Sequence, residues 1–215
     1  MRKKIDIDLV GFDLDKTLYK PNPVIDDKIT DYVCRKGSEF LKQDYDSVRN
    51  KYDELFIKTQ SGKDSLSLMG VENAVDIIQE ALEYSDIASI LERDDRLVRT
   101  MHKLKNNFKL FLITGSGRKI STDKLSALGI DENIFFPRLY ADSNYKRKDG
   151  SAFNYISNMC NVPFERMMFV GDREKADILP AKKLGMTTAI VNERSNQADY
   201  QLKEIYDLEH ILLKN

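Results

Sequence analysis

From Asp94 onward, short apolar runs alternate with segments of helical period, and this alternation leaves few architectures open. Lys109–Ile113, Met167–Val170 and Thr187–Val191 read as strands, and Ile134–Ala141 as an extended run. Each is short, apolar and bounded by turn residues. Between them, residues 95–106, the stretch ending at Leu128, residues 150–160 and residues 175–184 carry apolar side chains at helical spacing. Pro180 fits the last of these only if the helix begins late or kinks. Strands separated by helices imply a parallel sheet covered on both faces. Residues 5–12, ending in Leu9-Val10-Gly11-Phe12, supply a first strand far upstream.

Between that strand and Asp94 the pattern is helical throughout. Ile25, Ile29 and Val33 mark one helix over 24–36, with Gly37 as its expected C-cap. Val48, Tyr52, Leu55 and Phe56 mark a second over 46–58; a short third ends at Gly70; a fourth covers 72–84. A block this long is not a loop in a compact domain. The expected organisation is an α/β core, residues 1–19 and 93–215, interrupted by a helical insert, residues 20–92.

Charge adds exclusions. Lys and Arg total 34 against 35 Asp and Glu, a net charge of −1, so no basic field points to nucleic acid. The opening MRKKIDIDLV lacks a signal peptide's apolar region, and no run reaches membrane-spanning length. Cys34 and Cys160 are far apart and read as reduced thiols. The expectation is a cytoplasmic protein, monomer or homodimer.

The polar residues that follow the strands matter most, because parallel strands bring their carboxyl ends to one edge of a sheet, where ligands bind. Asp13, Asp15 and Thr17 follow the first; Thr114-Gly115-Ser116-Gly117 follows the second; Gly171-Asp172, then Asp177, follow Val170. Lys146-Arg147-Lys148 lies in a loop before the helix carrying Phe153. Taken singly, each has an ordinary reading as a solvated turn, a helix cap or a surface patch. Together, in this order, they describe a site for a hard cation and an anion.

This combination resembles the haloacid dehalogenase superfamily of phosphotransferases. Asp13-Leu14-Asp15-Lys16-Thr17 meets its first motif, Thr114 its second, and Gly171-Asp172 with Asp177 its fourth. The third motif is a Lys about six residues ahead of an aromatic. Counting back from Phe153 reaches Arg147; the role is assigned to Lys148, at the threshold of the helix, with Arg147 the second choice.

The resemblance implies a Rossmann-like core with a C1-type helical cap. It also implies Mg²⁺ held by Asp13, Asp15, Asp172 and Asp177. Asp13 would be the nucleophile, forming an aspartyl-phosphate, and Asp15 the acid and base. Lys148 would be catalytic, with Thr17, Thr114, Gly115 and Arg147 on the phosphoryl group. Asp13 ionised and Asp15 protonated would be the working state. A second acid at Asp15 marks phosphatases and phosphomutases, and the substrate is a small-molecule phosphate ester. The run FDLDKTLYKPNP is similar to pyrimidine 5′-nucleotidases, with phosphoglycolate phosphatases also near. That likeness implies a nucleoside 5′-monophosphate, with Lys58, Gln60, Ser61 and Lys63 of the insert facing it. A β-phosphoglucomutase-like sugar phosphomutase and a phosphometabolite-binding module without turnover are the alternatives.

Overall fold

The computed structural model describes residues 6–213. The chain divides into two compact units, one running through Lys20 and resuming at Leu91, the other Pro21–Ile90.

The first unit is built on six parallel strands: β1 (Leu9–Phe12), β2 (Lys109–Ile113), β3 (Phe135–Leu139), β4 (Met167–Gly171), β5 (Thr187–Val191) and β6 (Tyr200–Leu202). Their order across the sheet is β3-β2-β1-β4-β5-β6. The winding therefore runs one way from β1 and the other way from β4. The seam between these two strands is the switch point at which open α/β sheets form their ligand crevice. β1 is shorter than the expected 5–12. Its upstream part still joins the sheet, since Asp8 N–H donates to Arg166 and the Asp8 carbonyl accepts from Lys109 N–H. Residue 5 lies outside the described residues.

Alternation along the strands sorts side chains onto two faces. Val10, Phe12, Leu110, Leu112, Met168 and Val170 pack with Leu97, Met101 and Leu104 of α5 (Asp95–Asn107) and Leu125 of α6 (Arg118–Ala127). Leu9, Phe111, Ile113, Met167 and Phe169 pack on the other face with Phe153 and Ile156 of α7 (Ser151–Cys160). Gly11 points to this second face, where a Cβ would lie 2.0 Å from the Phe111 ring. The glycine lets that ring lie across the central strand.

The second unit consists of α1 (Pro23–Leu41), α2 (Tyr45–Thr59), α3 (Gly62–Leu68) and α4 (Ala74–Ser85) with a terminal 3₁₀ turn. Its own core contains Val33, Cys34, Val48, Tyr52, Leu66 and Ile77. Caps define the boundaries. Asn22, Asp44 and Ser61 each accept a backbone N–H of the helix they start. Gly37 is not the C-cap of α1. The helix continues to Leu41, Lys42 takes the left-handed cap, and Gly37 is buried where a Cβ would sit 3.4 Å from Leu66 and Val48. A glycine signals close helix crossing as readily as a helix end.

In the first unit, residues 174–184 resolve the difficulty at Pro180. A π-turn over Glu174–Ile178 precedes α8 (Leu179–Lys183), so Pro180 falls in the first turn, where its missing N–H costs nothing. A short helix, α9 (Leu208–Leu212), follows β6. No helix among the described residues is long and apolar enough to cross a membrane.

Candidate active site

Asp13 and Thr114 stand one residue beyond their strands yet remain tied to the sheet. Asp13 N–H donates to Val170 and Thr114 N–H to Leu139, both at 2.9 Å. The chain after Asp13 turns at Leu14, whose carbonyl accepts from Thr17 and Leu18, with Lys16 in the left-handed region. Asn192, just past β5, reaches across and donates to the Lys16 carbonyl at 2.6 Å. Two strand ends thus hold the loop that carries Asp15 and Thr17.

At the β1/β4 seam, Asp13, Asp172 and Asp177 bring one carboxylate oxygen each within 4.8 Å of one another, and all three residues are buried. Asp177 comes from the π-turn, and its carboxylate accepts from Arg173 N–H at 3.0 Å. Gly171 makes room for it: a Cβ there would lie 2.5 Å from the Asp177 Cβ. Buried oxygens Oδ1 of Asp13 and Oδ1 of Asp172 accept no hydrogen bond from the protein. Three converging carboxylates with such oxygens suit a hard divalent cation, which takes oxygen ligands.

Two arginines face the cluster. Arg147 Nη1 lies 2.5 Å from Asp177 Oδ1 and 2.9 Å from Asp13 Oδ1, the second an ion pair out of hydrogen-bond alignment, and its side chain is only 9% exposed. Arg173 lies 3.7 Å from Asp13 and 3.8 Å from both Asp172 and Asp177. Arg147 is thus brought from the loop to the cluster with its side chain largely buried, while Lys146 and Lys148 are exposed. A tight turn explains the choice: Gly150 N–H donates to the Arg147 carbonyl and Ala152 N–H to the Lys146 carbonyl.

Asp15 stands outside the three-carboxylate set. Lys124 Nζ at 2.5 Å and the Tyr19 hydroxyl at 2.6 Å meet its Oδ1, and the Ser116 hydroxyl donates to Oδ2 at 2.7 Å. Thr114 Oγ1 is 3.5 Å from the same Oδ2 and accepts the Ser116 N–H. Gly115 is exposed, and a Cβ there would meet nothing within 4 Å. Thr17 is buried, with a hydroxyl that finds no protein partner.

The protein's own charges bias the two first-motif acids in opposite senses. Burial pushes the Asp13 carboxyl up to about 6 and, with Arg147 lowering it, outweighs that cation. Burial would also raise Asp15, but the Lys124 ammonium and the hydrogen bonds from Lys124, Tyr19 and Ser116 hold it well below the usual carboxylate range. Asp172 is raised by burial and by the charge of Asp177. Without a cation or substrate, Asp13 thus ionises only above about pH 6, and Asp15 is held ionised where the expected working state has it protonated. A cation at the cluster would favour ionised Asp13, and a phosphate dianion beside Asp15 would favour its protonated form.

Sequence reasoning missed Lys124, Tyr19 and Arg173 and gave Ser116 no role of its own. Lys124 had left a trace. Ser121, Lys124, Leu125 and Leu128 recur at core-facing spacing, and Lys124 is fully buried in the middle of that stripe.

The sequence model of one family, haloacid dehalogenase-like hydrolase, matches residues 7–185. The glyceraldehyde 3-phosphate phosphatase of Methanocaldococcus jannaschii is 25% identical over 218 residues, covering 94% of this chain and 95% of that protein. The enolase-phosphatase E1 of Prochlorococcus marinus is 30% identical over 114 residues, 52% of this chain and 45% of that protein. Among solved structures, a HAD phosphatase from Thermococcus onnurineus superposes with a TM-score of 0.67 at 24% identity, over 96% of this chain and 98% of that one. The chain belongs to the haloacid dehalogenase-like hydrolase family.

Proposed function

We propose that this chain is a Mg²⁺-dependent phosphatase of small phosphate monoesters, acting through an aspartyl-phosphate on Asp13. The observation that supports it most is the meeting of Asp13, Asp172 and Asp177 within 4.8 Å, where the sheet changes winding direction. A divalent cation held there supplies the positive charge that lets an anionic nucleophile approach a phosphate dianion.

An Asp13 carboxylate oxygen attacks phosphorus as the bond to the ester oxygen breaks. Asp15 gives a proton to the departing alkoxide, then takes one from the water that attacks the aspartyl-phosphate. Inorganic phosphate leaves and Asp13 is regenerated. Thr114, Thr17 and the Gly115 N–H take non-bridging oxygens. Arg147 supplies the fixed cation of the third motif, in place of Lys148, because its guanidinium already lies against Asp13 and Asp177. Asp13, Asp172 and Asp177 would hold the Mg²⁺, and by family likeness the Asp15 backbone carbonyl would be a further ligand.

Two likenesses bear on the substrate. The first motif and its flank imply a nucleoside 5′-monophosphate. The Methanocaldococcus relative, matched along nearly its whole length, adds a triose phosphate. The helical insert takes the place in the chain that a C1 cap occupies. Phosphate release from UMP, CMP, AMP, phosphoglycolate, glyceraldehyde 3-phosphate, sugar phosphates and p-nitrophenyl phosphate, with Mg²⁺ and with EDTA, tests the proposal. Metal-dependent release is expected, and the preferred ester names the class. Release unaffected by EDTA, or none from any ester, would overturn it.

A further inference from the structure

A lysine whose side chain is 0% exposed is rare and persists only with close partners. Lys124 has two: Asp15 Oδ1 at 2.5 Å and Ser116 Oγ at 3.0 Å. The serine oxygen accepts from the ammonium and sends its own hydrogen to Asp15 Oδ2 at 2.7 Å. One cation thus engages one carboxylate oxygen directly and orients the hydroxyl that engages the other. With Tyr19 also on Oδ1, the torsion of the Asp15 side chain is fixed. An apolar residue would serve the packing of this α6 stripe equally well; only a long cationic stem reaches Asp15 from it.

We infer that Lys124 is a positioning residue for proton transfer: with Ser116, it fixes the Asp15 carboxylate outside the metal-ligating set, ready for the leaving group. This rests on the reading of Asp15 as acid and base.

The test compares kcat/KM for an alkyl ester, glycerol phosphate, with that for p-nitrophenyl phosphate, whose leaving group departs without a proton. Lys124→Met is expected to lower the alkyl value by about 100-fold or more, the scale of general acid catalysis. The aryl value should fall at least tenfold less. In an Asp15→Asn background, adding Lys124→Met should cost little further, because its target is gone. Ser116→Ala leaves no buried charge unpaired and should show the same alkyl-selective loss at smaller size, so it carries the test if Lys124→Met does not fold. Equal losses on both esters, or losses that multiply in the Asp15→Asn background, would overturn the inference while leaving the phosphatase reading intact. Where glycerol phosphate is not turned over, the alkyl ester of the wider panel that is released best replaces it; a wild-type chain that releases phosphate from no ester of that panel would overturn the phosphatase reading, and the inference with it.

Discussion

Replacing the proposed nucleophile should make the protein more stable while abolishing its turnover. Asp13 is buried beside Asp172 and Asp177, and burial lifts its carboxyl from 3.8 to about 6 even with Arg147 close by. Every tenfold change in proton affinity is worth about 1.4 kcal/mol, so keeping Asp13 ionised in the folded chain at pH 7.5 costs about 3 kcal/mol. The native pKa is the higher one. Between about pH 4 and pH 6 the native chain therefore binds more proton than the unfolded chain, and stability falls as pH rises through that window. Asparagine has nearly the same shape and no charge. In EDTA at pH 7.5, Asp13→Asn should gain about 3 kcal/mol, roughly 6–12 °C in melting temperature for a chain of this size. Near pH 4 most of the gain should vanish, because wild-type Asp13 is then protonated when folded. Adding Mg²⁺ should stabilise the wild type more than the variant, since the variant has lost a ligand. Thermal melts of both proteins at the two pH values, with and without Mg²⁺, provide the comparison. A variant no more stable than wild type in EDTA at pH 7.5, or a gain independent of pH, would refute the electrostatic account of the cluster.

Three further substitutions probe the geometry. Arg147→Ala should lower kcat/KM by about 100-fold or more, as expected for loss of a charged donor to the transition state, and far more than Lys148→Ala; steady-state kinetics of both, side by side, check this. Gly171→Ala places a Cβ against Asp177, so it should cost about 1–3 kcal/mol and weaken Mg²⁺ binding, measured by the metal-induced rise in melting temperature.

The residues legible in the sequence were those whose position is a consequence of strand order. Asp13, Thr114 and Asp172 directly follow apolar runs, so a parallel sheet alone places them on one edge. Arg147 and Lys148 could not be separated because both lie in a loop, where a turn at Gly150 decides which side chain faces inward. Lys124 lies 109 residues from Asp15, and only the pairing of helix to sheet reveals their contact. Gly37 was misread because the same residue type satisfies two unlike demands, a left-handed cap and a close crossing of helices. Pro180 was read correctly as out of place in a longer helix; the π-turn that relieves it has no sequence signal of its own.

The central position of β1 also bears on how the molecule is made. Leu9 pairs on one side with Lys109 and on the other with Met167, so the first strand synthesised is among the last to be enclosed. At roughly 5–20 residues per second, Leu9-Val10-Gly11-Phe12 waits on the order of ten seconds or more before both neighbours exist. The helical unit, drawn from consecutive residues, can meanwhile fold on local contacts. An apolar strand exposed for that interval is a natural place for a holding chaperone to bind. Carboxylates delivered by residues 13, 172 and 177 cannot meet until most of the chain has emerged, so a truncated product carries no assembled cluster.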